Sequence, residues 1–188
     1  MKTMARTITQ KELDLLNAMR ALWADHANWN RAVTVSAAAG LPDLDIAVNR
    51  LMKNQEDIGN AIEPFYGNPA GTKLTELLKQ PISQAYDIVV AAKTGDKAKL
   101  DSSNKAWYEN ANMIAEFLTG ANAQNWPANM TKKHMKDHLD LTDHEAVVRL
   151  QGKWEEDVKA WDAVHSQIMM MSDMLSEGLV KQSPDKFM

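Results

Sequence analysis

Residues 15–43, LLNAMRALWADHANWNRAVTVSAAAGLPD, decide how the rest of the chain is read. Leu15, Met19, Leu22, His26, Trp29 and Val33 recur at spacings of 4, 3, 4, 3 and 4, the stripe of an amphipathic helix. Gly40 closes that stripe and Leu41-Pro42-Asp43 opens a new segment. Glycine belongs just past a helix C-terminus and proline near the next N-terminus. The pattern predicts a helix over residues 10–39 and a second one running to about residue 62.

Downstream, the same grammar repeats. Pro64-Phe65-Tyr66-Gly67-Asn68-Pro69-Ala70-Gly71 is dense in turn formers and reads as an interruption. A third helix is expected over 72–93, ended by Gly95, and a fourth over 97–119. After a second interruption at 120–127, two more helices fill 129–181, with Gly152 between them. No segment alternates like a strand. His26, Pro81 and His138 each lie 14 residues before a glycine, namely Gly40, Gly95 and Gly152. In the second helix of each pair, residues 50–58 align with 106–114 and more loosely with 160–168. The expectation is an all-α fold in one domain over 1–188: about six helices as three repeated hairpins, 10–62, 72–119 and 129–181.

Composition narrows the function. The 21 Lys and Arg are outnumbered by 25 Asp and Glu and form no basic run, which argues against nucleic acid as a partner. With no cysteine, disulfides, thiolate metal sites and cysteine nucleophiles are excluded. Residues 1–11 carry basic side chains without an apolar stretch long enough for a signal peptide or membrane anchor, so a soluble chain is expected. Enzyme signatures are absent: no phosphate-binding glycine loop, no nucleophile elbow, no His-Glu-x-x-His, and no paired Glu-x-x-His of a di-iron bundle. The reading therefore leans away from catalysis.

Histidine is the remaining lead. His26 falls on the first stripe, His134 and His138 lie four apart on helix five with Glu145 further along the same side, and His165 joins Trp154, Val158, Trp161 and Ile168 on helix six. An i, i+4 histidine pair can reach one transition metal, with nearby carboxylates orienting the rings. His26, His138 and His165 are thus the first candidates for a metal site, His134 and Glu145 the second, and Cu or Zn the candidate ion. A pseudo-symmetric bundle would bring His26 and His138 to a common axis. Pro81, at the third equivalent place, cannot ligate and would kink or restart its helix. The run Met169-Met170-Met171 with Met174 invites a copper reading but fits core packing better, because consecutive residues face different sides of a helix. Trp23 with Trp29 and Trp107 with Tyr108 read as core anchors. Thr142-Asp143-His144-Glu145 has the form of a capping box and would split helix five near Leu141.

Together these pieces resemble a loose group of small bacterial all-helical proteins. Trp23-x-x-His26-x-x-Trp29, Gly40-Leu-Pro-Asp43, Asn54-Gln-x-Asp57, Pro64-Phe-Tyr-Gly67, His138-Leu-x-Leu-Thr142 and the terminal Lys181-Gln-x-Pro-x-Lys-Phe187 carry the resemblance. It implies export, since many members look exported, and brings no activity with it. Members of the group tend to have His at the places of Pro81 and Gln167, so any metal site they share is incomplete here. The leading expectation is a non-enzymatic bundle that binds a metal ion or small ligand through core histidines. The alternative is a structural or protein-interaction bundle that binds neither.

Overall fold

A computed structural model describes residues 8–188, with the backbone alone at 86, 89 and 93. Within it the chain forms α1 (Gln10–Ala39), α2 (Leu44–Tyr66), α3 (Asn68–Thr94), α4 (Lys97–Ala121), α5 (Ala128–Leu150) and α6 (Trp154–Gln182), followed by a single 3₁₀ turn at Pro184–Lys186. Among the described residues there is no strand. Nor is any helix long and apolar enough to cross a membrane. The N-terminal reading rests partly on residues 1–7, which lie outside the described residues.

Each helix packs on the next, and α6 returns to pack on α1, so the six close into a ring. Sequential neighbours run antiparallel: Asn54 meets Leu22, Asn110 meets Leu77, and Gln167 meets His134. In consequence α1, α3 and α5 run the same way, and α1 touches both of the others. The principal core, with Met19, Trp23, Ile58, Trp107, Ile114 and Ile168 among its members, fills the ring. A smaller cluster of Val33, Ala47, Leu51 and Ile82 lies beside Trp29.

Local chemistry explains the boundaries. Thr9 Oγ1 accepts from the Glu12 amide at 3.2 Å while Glu12 Oε2 accepts from the Thr9 amide at 2.9 Å, a reciprocal cap that starts α1. Gly40 ends it in the left-handed conformation at φ 66°. The interruption expected over 64–71 shrinks to Gly67. Pro64 lies inside the last turn of α2, and Pro69 occupies the first turn of α3, where its missing N–H costs nothing. Gly59 and Gly71 let α2 and α3 cross closely: a Cβ on Gly59 would stand 2.6 Å from the Gly71 carbonyl oxygen.

Two expectations change on α5 and α6. Thr142 Oγ1 donates to the His138 carbonyl at 2.8 Å, one turn back, so it does not cap a new helix and α5 runs unbroken. On α6 the face expected to be buried begins outside. Trp154 and Val158 are 60% and 55% exposed, and the inward residues are Asp157, Ala160, Val164, Gln167, Ile168 and Met171. Asp157 is drawn in by ion pairs, which turns the first turns of the helix away from its aromatic side.

Candidate functional site: a histidine-lined core cavity

Three carboxamides tie each hairpin at the same level. Asn54 Nδ2 donates to the Leu22 carbonyl at 3.0 Å, Asn110 Nδ2 to that of Leu77 at 3.1 Å, and Gln167 Nε2 to that of His134 at 2.9 Å. The accepting residues each lie four positions before His26, Pro81 and His138. On α6 the residue in this role is Gln167, three places beyond Val164, which the looser alignment had put there.

The bond from Asn110 also explains how α3 accommodates a proline. Pro81 has no N–H to offer the Leu77 carbonyl, its partner one turn back. Asn110 supplies that hydrogen bond from α4, and α3 continues through Pro81 without a break.

His26, Pro81 and His138 all line one cavity of about 50 Å³, walled by Trp23, Leu51, Trp107 and Met171. Among its lining residues Asn30, Pro81 and Ala85 are half-buried and the rest are buried, so the cavity reaches solvent between α1 and α3. His26 and His138 are 8% and 6% exposed, and their ring centroids stand 5.6 Å apart. Burial, followed by the repulsion of His138, holds the His26 pKa down at about 3. Burial likewise holds His138 at about 4, against a smaller upward pull from the Gln167 carboxamide. At neutral pH both imidazoles are therefore uncharged.

The hydrogen-bond relay behind His26 biases its tautomer. Gln55 Nε2 lies 2.9 Å from the Leu51 carbonyl, 3.0 Å from Asn54 Oδ1 and 3.2 Å from His26 Nδ1. A carbonyl oxygen only accepts, so the atom facing Leu51 is the amide nitrogen. Asn54 is oriented in the same way by Leu22. The two N–H groups of Gln55 Nε2 serve three acceptors, so the one toward His26 is shared; a proton on His26 Nδ1 would face a donor, and the arrangement favours a bare Nδ1 with the proton on Nε2.

Among the described residues, Asn110 Oδ1 and Gln55 Oε1 are buried around this centre without a hydrogen-bond partner, and His138 Nδ1 and Gln167 Oε1 are buried there with no well-formed bond, although their two side chains interact. Of these, His138 and Asn110 line the cavity itself. A buried acceptor left unpaired costs about 1–3 kcal/mol.

The other candidate residues are elsewhere. His165 is half-buried against Trp161, ring centroids 5.4 Å apart, and does not line the cavity. His134 is half-buried in a groove on the outer side of α5 and α6. Glu145 is buried in an ion-pair cluster, where Arg31 Nη1 donates to it at 2.7 Å. Arg31 also grips both oxygens of buried Asp157, and Arg149 donates to Asp157 at 2.9 Å. Among the described residues no three of His, Asp and Glu assemble as a metal-ligand group. Gln55 and Asn110, which sequence reasoning did not put at the site, and Gln167, which entered only through the resemblance, carry its polarity; a buried amide on an otherwise apolar helix face is the signal that marks them.

No family model matches the chain, and no curated protein or solved structure matches it either.

Proposed function

We propose that the chain is a non-enzymatic binding bundle whose core cavity takes a small uncharged polar group between His26 and His138. The carrying observation is the mismatch in the cavity wall. His26 offers an N–H at Nε2, while Asn110 Oδ1 lacks a partner and His138 Nδ1 a well-formed bond in a largely apolar enclosure. A group that both donates and accepts, such as a primary carboxamide or a hydroxyl, would relieve that imbalance. A volume of about 50 Å³ has room for only a few non-hydrogen atoms, against about 150 Å³ for a cavity that holds benzene.

Two features weigh against the metal version of this reading. Among the described residues no third imidazole or carboxylate joins the two histidines in a ligand group. Ligation through His26 Nε2 would also move its proton to Nδ1, against the Gln55 amide nitrogen.

Titration with formamide tests the proposal, with Zn²⁺ as a parallel arm. Formamide should bind saturably, no tighter than roughly 0.5 mM given a ceiling of about 1.5 kcal/mol per heavy atom. Ala111→Val, which fills the cavity from α4 without touching either histidine, should abolish that binding. Zn²⁺ binding that depends on His26 and His138 would overturn the reading in favour of a metal site. No response to either probe would leave the structural bundle.

A further inference from the structure

A second site is written on the outer surface, independent of the core cavity. Met130 and His134 lie four apart on α5, and Met170 and Met174 lie four apart on α6, so each pair shares one face of its helix. All four line a single groove between the two helices. Their register is fixed from both ends: Trp126 Nε1 donates to the Met174 carbonyl at 3.3 Å, and Gln167 Nε2 to that of His134 at 2.9 Å. The methionine run is divided by the helix. Met171 is buried in the core and Met169 packs against it, whereas Met170 is 59% exposed at the groove.

The groove's two carboxylates are already engaged. Arg20 holds Asp173 through two bonds of 2.6 Å, and Lys181 pairs with Glu177 at 3.1 Å. Beside the neutral amides of Gln124 and Asn125 at its rim, what remains toward solvent is three thioethers and one imidazole, with no hydrogen bond to the His134 ring among the described residues. Thioether donors suit Cu(I), and a site short of free carboxylate has little to offer Mg²⁺, Ca²⁺ or Mn²⁺. We propose that Met130, His134, Met170 and Met174 form a surface site for a soft monovalent metal ion of the Cu(I) class. The flexible thioether side chains would close over the ion from both helices.

Ag(I), a redox-inert stand-in for Cu(I), provides the test on the full chain with methyl-labelled methionine. One equivalent should shift the methyl signals of Met130, Met170 and Met174 and leave buried Met19 and Met171 in place. Exposed Met113 and Met188 serve as controls for indiscriminate binding. Met170→Leu and Met174→Leu, which keep side-chain size, should each weaken Ag(I) at least tenfold, and His134→Gln should do the same. Equal shifts at Met113 and Met188, or unchanged affinity in the Met130→Leu, Met170→Leu, Met174→Leu triple variant, would overturn the proposal. His26→Gln should leave Ag(I) binding intact, which separates this site from the core cavity.

Discussion

Gln55 determines what His26 can do. A histidine on a core stripe is legible from spacing alone, but its tautomer depends on a carboxamide one helix away whose orientation is set by the Leu51 carbonyl and by Asn54, itself held by the Leu22 carbonyl. Because both imidazoles titrate below the ordinary value of about 6.5, the unfolded chain takes up protons that the folded chain refuses. Stability should be full above about pH 6.5 and should fall as pH drops toward 4, by up to about 1.4 kcal/mol per pH unit for each histidine. Burial raises the Glu145 pKa, and that shift acts in the opposite sense at the lower end of the window. Urea unfolding between pH 7 and 5 reads the slope. His138→Gln, with its helicity checked, should reduce it by the share of one proton, and an unchanged slope would contradict the buried neutral pair.

At the scale of the element, α6 teaches the most. Its Trp154, Val158, Trp161 and His165 make a convincing stripe, yet the helix begins with that face toward solvent because Asp157, between them in sequence, is held inside by Arg31 and Arg149. Hydrophobic periodicity counts apolar side chains and cannot anticipate that two arginines from α1 and α5 will converge on one carboxylate. Those partners hold the Asp157 carboxyl below its usual range. Asp157→Ala should cost about 3 kcal/mol, because it leaves the partly buried guanidinium of Arg149 without its acceptor and that of Arg31 with Glu145 alone. Thermal and urea unfolding check this, and a loss under 1 kcal/mol would show that the cluster is not what orients α6. The short α2–α3 junction was hidden for a related reason: proline signals a loop when counted, but Pro64 and Pro69 fall where a helix end and a first turn accept them.

For the whole molecule, the all-α architecture and the extents of α1 and α4 could be read from glycine punctuation and 3.6-residue periodicity. So could the meeting of His26 with His138. The ring brings Pro81 to the same cavity and Gln167 against His138. The double substitution Pro81→His, Gln167→His should therefore create a metal centre, raising Zn²⁺ affinity at least tenfold over the native chain by equilibrium dialysis. No gain would mean that these four positions do not converge closely enough to ligate. The native chain is different, since its cavity holds two neutral imidazoles and the unpaired Asn110 amide oxygen. The most direct measurement is the ¹⁵N spectrum of the imidazoles during the formamide titration. The account predicts His26 with its proton on Nε2 at pH 7, and saturable shifts at His26 and His138 that vanish in Ala111→Val. A proton on His26 Nδ1, or imidazole nitrogens indifferent to formamide, would contradict it.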